Sequence, residues 1–393
     1  MITLESLRFL QSAEGAALLA SLKSADLSEA NTLKLLTDLR KRYIPEHAAA
    51  ALETARLRIK ARDKFAGDTD QLFFTREALE QASHGAIGDL VHSSFFRDQA
   101  WIADLGCGIG MDTASFASTS QVMAIDRNPL RLAMAQANVP NNACFVQADL
   151  TRPLPFTGIN AAFFDPARRS GERRIFSVKD YSPPLDIIRT WPFEALLVKL
   201  SPGVDLAELA SYQGSVYFVS VDGELKEALL WTPKTAGACA VVIRSDAATG
   251  GWRSDWLWPA GLDAPPLREP RGYLYEPDPA IIRAGLLSEL AQHLELTMYR
   301  LDETIAYLTA DTLVKSALAR AWIIDDWMPF NLKKLRAYLR ERGVGRVTVK
   351  KRGSPLSPEE LIAKLKLTGD GEERVVVLTH VLGQAAILIC RTT

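Results

Sequence analysis

The sequence is poor in the residues that build metal and disulfide frameworks. Only 4 cysteines are spread over 393 residues, Cys107, Cys144, Cys239 and Cys390, and no two stand at C-x-x-C spacing. That argues against a zinc knuckle, a dithiol redox pair and a secreted disulfide scaffold, and predicts free thiols in a reducing compartment. The 5 histidines, His47, His84, His92, His293 and His380, are equally dispersed, so no metal site is expected. Charge of one sign is missing too: 46 Lys and Arg stand against 47 Asp and Glu, for a net charge of -1. The chain as a whole is no polycation, and a nucleic-acid surface must be a local patch. No apolar run reaches the roughly 18 residues of a membrane span. The N-terminus MITLESLRFLQSAEG has an early acid and no basic segment ahead of an apolar one. A cytoplasmic protein without membrane attachment is expected.

Hydrophobic residues make up 48% of the chain, enough for a large core and more than one domain. Residues 1–95 read as helical, with apolar residues at helical spacing in Leu7, Leu10, Leu18, Leu19 and Leu22 and again in Leu35, Leu36 and Leu39. Thr75 is a candidate helix cap in FFTREALEQAS. These helices could be a substrate lid or a packing layer. From Trp101 the pattern changes: WIADLG, QVMAID, ACFVQAD, INAAFFD and ALLVKLS are strand-like, with MDTASFAST and NPLRLAMAQAN as helices between the first of them. Alternating strands and helices predict an α/β fold with a parallel sheet covered on both faces. SVYFVSV and EALLWTP suggest a hairpin around Asp222-Gly223. Residues 245–270 read as an irregular connection, and an α+β unit with helices in PAIIRAGLLSELAQHL and NLKKLRAYLRERG follows.

The strongest motif is Asp104-Leu105-Gly106-Cys107-Gly108-Ile109-Gly110, between a strand and a helix. Its glycines allow a tight turn and close approach of backbone to ligand. Dinucleotide folds use G-x-G-x-x-G, but here Met111 stands where the last glycine would be. The pattern resembles motif I of class I S-adenosylmethionine (SAM)-dependent methyltransferases. Asp126, with Arg127 beside it at the end of the second strand, matches the acid that binds the ribose hydroxyls. Asp149, followed by Leu150 after the third strand, matches the acid at the adenine amine. The resemblance therefore implies SAM held by Asp104, Gly106, Cys107, Gly108, Gly110, Asp126, Arg127, Asp149 and Leu150.

The fourth strand runs into Asp165-Pro166-Ala167-Arg168-Arg169. Ligands sit at the carboxyl ends of strands in such sheets. In amino-methylating members of the superfamily the matching loop is D/N/S-P-P-aromatic, which orients the lone pair of an exocyclic amine toward the methyl sulfonium. Asp165 and Pro166 match as catalytic residues; Ala167 and Arg168 depart and remove the stacking aromatic. The loop is also similar to D-P-P-R of RNA uridine C5-methyltransferases, but those use a cysteine after the next strand, where this chain has Leu200, Ser201 and Pro202. Direct transfer to nitrogen, or second to oxygen, is left. It requires mainly proximity and alignment. Arg168, Arg169, Arg173 and Arg174 could clamp phosphates or form a solvated loop with scattered ion pairs. Tyr181, in Tyr181-Ser182-Pro183-Pro184, is a candidate substrate aromatic or a packing residue, and Ser182 reads as a helix cap.

Lys333, Lys334, Arg336, Arg340, Arg342, Arg346, Lys350, Lys351 and Arg352 cluster against a single acid, Glu341. Such a patch suits a phosphate backbone; a solvated helix face whose lysine stems cover apolar surface is the alternative. Taken with FFTREALEQAS, DLGCGIG, DPARR, YSPPL, YLYEPDPAIIRAGL and VGRVTVKKRG, the chain resembles bacterial class I SAM-dependent methyltransferases with a THUMP-like C-terminal domain, related to the RNA cap guanine-N2 (trimethylguanosine synthase) group. That resemblance implies a Rossmann-like domain over 96–270, a THUMP-like RNA-binding domain over 271–393, and an RNA substrate, tRNA or rRNA, with Lys350 and Lys351 among its contacts. A catalytically silent SAM- and RNA-binding protein, and a methyltransferase of small molecules or proteins, stay open as alternatives.

Overall fold

The computed structural model describes residues 2–65, 69–139, 141–168, 177–233 and 235–393. Two compact units are formed, one of Met1–Ser215 with Glu227–Thr235 and one of Val216–Lys226 with Ala236–Thr393. No described helix is long and apolar enough to cross a membrane.

The first unit opens with the helices that the apolar spacing predicts, Leu4–Gln11, Ala13–Leu22, Thr32–Leu39, Pro45–Ala61 and Arg76–Gln81. Their starts are chemically marked: Thr3 and Ser6 form a reciprocal capping box, and Thr75 accepts from the Ala78 N–H as expected. Leu7, Leu10, Leu18, Leu19 and Leu22 are buried in one core. The same core takes in Ile109 of the glycine loop and Met134 of the helix Pro129–Asn138. Asn138 fastens the layer further. Its amide accepts from the Phe73 N–H at 2.8 Å and donates to the carbonyls of Phe73 and Ile109 at 3.0 and 2.9 Å. The N-terminal helices are thus a packing layer continuous with the loop, which answers the choice the sequence left open.

Next come strands β1 (Trp101–Leu105), β2 (Gln121–Asp126), β3 (Ala143–Gln147) and β4 (Ala161–Phe164), then a small antiparallel ribbon of β5 (Ala167–Arg168) and β6 (Tyr181–Ser182), then β7 (Ala195–Leu200). The sheet order in this unit is β7-β4-β1-β2-β3, all parallel. Residues Ala228–Thr232 add an antiparallel strand beside β7. β4 and β7 are almost wholly buried, as strands covered on both faces must be. The order reverses on either side of β1, so a crevice opens between the carboxyl ends of β1 and β4.

In the second unit, Ala238–Asp246 pairs parallel with Ser215–Val221 and antiparallel with Gly251–Leu257. The last strand corrects the expectation of an irregular 245–270. WRSDWL lacks an apolar run, but its Trp256 packs edge-on to Tyr217 at 5.9 Å and stacks on Trp258 at 5.9 Å. Aromatic pairing supplies what hydropathy did not. Asp222 and Gly223 have φ of 47° and 84°, as a two-residue type I′ turn requires.

A second sheet has seven strands, in the order Tyr299–Arg300, Leu308–Ala310, Tyr273–Pro277, Ala319–Pro329, Gln384–Thr392, Glu372–Val381 and Val344–Lys351. Alternation splits its faces. Leu335 and Leu339 of the helix Leu332–Glu341 and Leu361 and Leu365 of the helix Pro358–Leu365 pack on Val376, Leu378, Ile387 and Ile389. Val375, Val377, Leu388 and Cys390 face Leu274, Tyr307 and Trp322 on the other side.

Candidate active site

The glycine loop closes on the end of β1. The N–H groups of Gly106 and Cys107 both donate to the Ile125 carbonyl, at 2.8 and 2.9 Å, which turns the chain back on itself. Gly106 has φ of 90°, and a Cβ there would lie 2.9 Å from the Asp165 carbonyl oxygen. Only glycine lets the β1 and β4 loops approach this closely. Gly108, with φ of 56°, has open space where a side chain would project.

Acids surround this opening. Asp126 receives the Gly108 N–H at 3.0 Å on one oxygen and the Asn128 N–H at 2.7 Å on the other. These bonds fix the carboxylate plane and leave lone pairs for further donors. Asp104 is 1% exposed. Thr113 donates to one of its oxygens and the other is buried without a partner. Burial pushes its carboxyl up to about 8. An orphaned acceptor at this position fits a ligand that brings its own donor or positive charge. Asp149 is exposed, accepts from the backbone and hydroxyl of Thr151 at 2.9 and 2.8 Å, and is held below the usual carboxylate range by those bonds. Arg127 is exposed and Leu150 half-buried, while burial pushes the Cys107 thiol far up and leaves it an inert packing group.

Asp165 follows β4, with its N–H on the Leu105 carbonyl at 3.2 Å. One carboxylate oxygen accepts from Lys199 Nζ at 2.9 Å. Lys199 also donates to the Gln81 carbonyl at 3.3 Å. The Lys199 side chain is 7% exposed and that of Asp165 is 31% exposed, so the pair lies at the rim of the interior with Asp165 on the open side. Pro166 is buried and Ala167 exposed.

The comparisons with known proteins overlay this geometry. Residues 103–165 match a methyltransferase domain, residues 319–392 a THUMP domain-like family, and residues 3–61 a domain of unknown function. The methyltransferase match runs from within β1, beside Asp104, to Asp165 itself, and takes in Asp104, Asp126, Asp149 and Asp165. The chain is a SAM-dependent methyltransferase. An uncharacterized S-adenosylmethionine-dependent methyltransferase of Mycobacterium tuberculosis, found in strains CDC 1551 and H37Rv, is 29% identical over 369 residues, 88% of this chain and 98% of the relative. A candidate methyltransferase from Porphyromonas gingivalis W83, solved as a crystal structure, shares the fold with a TM-score of 0.73 at 22% identity, over 93% of this chain and 99% of that one.

The cofactor of this methyltransferase is SAM, and the residues fit it: a glycine loop with open space at Gly108, an anchored acid at Asp126, and a buried acceptor on Asp104 for a cationic ligand. SAM supplies a methyl group on a sulfonium. Gly106→Ala is expected to weaken SAM binding by about tenfold or more, ~1.4 kcal/mol, because both φ and the 2.9 Å approach reject a Cβ. Calorimetric titration measures it, with circular dichroism to confirm the fold.

Tyr181, Ser182 and Lys350 each have a partner within the fold. Tyr181 is 1% exposed and its hydroxyl accepts from the Ser201 N–H at 2.8 Å. It is a packing residue that ties the ribbon to the end of β7, because a buried N–H needs an acceptor there. Ser182 is a ribbon residue opposite Ala167, and the helical turn Leu185–Thr190 starts without a side-chain cap, so Ser182 does not cap it. Lys350 is held by Glu276 at 2.6 Å and lies 4.7 Å from the Trp322 ring centroid, whereas Lys351 is exposed. Arg168 is paired in register with Tyr181; Arg169, Arg173 and Arg174 lie outside the described residues.

Sequence reasoning missed a buried charge cluster beneath the site. His92 is fully buried, with Nδ1 at 2.7 Å from Asp112 and Nε2 at 2.6 Å from Glu227. Ser83 donates to the other Asp112 oxygen at 3.1 Å. Burial opposes a charge on His92, yet Glu227 and Asp112 lift it to about 10. Burial likewise opposes ionisation of Asp112, and His92 outweighs it and holds the carboxyl low. The one available signal was Lys199 itself, a lone cation within the apolar strand ALLVKL, which demands buried counter-charges.

Proposed function

We propose that this methyltransferase transfers the methyl group of SAM to a base nitrogen in RNA, tRNA or rRNA, in the cytoplasm. The observation that carries the reading is Asp165. Its backbone carbonyl closes on Gly106 at the carboxyl end of β4, and its partly exposed carboxylate has one oxygen on Lys199 and no hydrogen bond to the other among the described residues. A free carboxylate oxygen beside the cofactor loop suits an exocyclic N–H, with the Pro166 carbonyl as a second acceptor. RNA is favoured by the THUMP-like match and by the cations Lys333, Lys334, Arg340, Arg342, Arg346 and Lys351, all exposed in that region. The sequence resemblance to the guanine-N2 group makes the guanine exocyclic amine the first acceptor to examine.

The test offers tritiated SAM and purified protein to RNA, DNA and protein fractions of a strain lacking the gene. Label in one RNA size class is the expected result; label only in protein or small molecules overturns it. Replacing Lys333, Lys334 and Arg340 by Glu should weaken RNA binding and flatten its salt dependence by about 0.7–0.9 in the log–log slope per lost phosphate contact, with SAM affinity unchanged. Gel-shift titrations across a salt series measure this.

A further inference from the structure

The pairing of Asp165 with a buried lysine asks for an explanation that amine binding alone does not give. A carboxylate that only accepts an N–H from substrate needs no cation behind it, and a lysine is costly to bury. The other groups that act strongly on this pair are acidic. Asp112 comes from the helix after the glycine loop and Glu227 from the strand beside β7. Asp112 and Glu227 both act to raise the Asp165 carboxyl, as does burial, and Lys199 alone among the strong influences opposes them. The same acids, with Asp165 first among them, keep Lys199 charged despite its burial. His92 sits between Asp112 and Glu227 and bonds to neither Lys199 nor Asp165.

We infer that Lys199 is a positioning residue for methyl transfer: by bonding one oxygen of Asp165 it keeps that group an ionised acceptor and turns the other oxygen to the incoming amine. The inference rests on the reading of Asp165 as the amine acceptor. If Asp165 were protonated it would become a donor and compete with the N–H that it must receive. Burial and the neighbouring acids hold the Asp165 carboxyl above its usual range, and the cation 2.9 Å away is what limits that rise. The lysine bond also removes a rotational choice, since a carboxylate with one oxygen fixed presents the other in a defined direction.

The test compares wild type with Lys199→Met, which keeps the apolar stem, and Lys199→Arg, which keeps the charge. Infrared titration, with the Asp165→Asn spectrum subtracted, follows protonation of Asp165 without needing an acceptor. The midpoint should rise by about one pH unit or more in Lys199→Met and stay near wild type in Lys199→Arg. On whichever fraction takes label, the acid limb of the kcat profile should move to higher pH by the same amount in Lys199→Met, and Lys199→Arg should restore it. In an Asp165→Asn background, whose amide accepts at any pH, replacing Lys199 should no longer shift the profile. Thermal melting and SAM titration confirm that each variant folds. An unchanged Asp165 midpoint in folded Lys199→Met overturns the inference. Undiminished transfer by Asp165→Ala overturns the underlying reading instead, so the two failures are separable.

Discussion

His92→Ala should unfold far more readily than wild type, although His92 touches no solvent and lies outside every recognisable motif. Its imidazolium joins Asp112, in the first turn of the helix that follows the glycine loop, to Glu227, on the strand at the far side of β7. Removing it leaves two buried carboxylates facing each other with no cation between them. Breaking a buried pair by deleting one partner costs about 3–5 kcal/mol, which for a unit of this size is a fall of about 10 °C in Tm. The ring also packs against Phe163 at 4.7 Å, so part of the loss is a cavity. His92→Gln separates the terms. It fills most of the space without a charge, and should recover the packing but not the electrostatic share. Scanning calorimetry of the three proteins measures both.

The same residue sets the response to pH. The usual histidine value is 6.5 and in the fold it is about 10. The folded state therefore binds the proton more tightly, and the stabilisation is complete below about 6.5 and is lost as pH rises through 10. Asp104, raised by burial to about 8, acts with the same sign over a lower range: it weakens the fold as pH climbs from its usual value of 3.8. Asp112, held low by His92, acts in the opposite sense and loses its contribution on acidification. Stability should thus decline on the alkaline side, and His92→Gln should flatten the part of that decline above neutrality. A Tm series from about pH 6 to about pH 10 on both proteins checks it.

What the sequence made legible was local. Asp104 to Gly110 is a contiguous motif between a strand and a helix, and Asp126, Asp149 and Asp165 each stand at or just past a strand end, so spacing alone could place them at one edge of a parallel sheet. The cluster beneath is nonlocal. Gln81, Ser83 and His92 come from the helical region, Lys199 from β7 and Glu227 from the strand beside it, and only the lone lysine in an apolar strand hints at buried counter-charges, without saying which. Tyr181 shows the same limit: the sequence left it open between a substrate aromatic and a packing residue, and its burial and the bond from the Ser201 N–H to its hydroxyl appear only in the fold. Lys350 reads as one cation in a basic run until Glu276, 74 residues earlier, is found beside it. Patterns along the chain report which face a residue takes; they do not report its partner across the core.

Asp165→Ala should abolish most methyl transfer while leaving SAM bound. The hydrogen bonds that hold the cofactor-side acids do not involve Asp165: Asp104 and Asp126 bond to Thr113, Gly108 and Asn128. Its carboxylate is instead 31% exposed, with one oxygen held by Lys199. Without it an acceptor amine loses the bond that aims its lone pair, and an error of about 1 Å in such alignment costs about a hundredfold in rate. Lys199 would then be a buried cation without its nearest partner, so some loss of stability must accompany the loss of rate. Asp165→Asn resolves the two. The amide keeps an acceptor oxygen for the amine, but it cannot neutralise Lys199. Retained transfer in Asp165→Asn, with a lowered Tm, would mean that acceptance and not charge is what the chemistry needs. Equal loss in both variants would mean that the amine requires the full negative charge, as it would if it gave up its proton to Asp165 during transfer. Single-turnover rates with labelled SAM on the modified fraction, read beside SAM affinity and melting curves, distinguish the two.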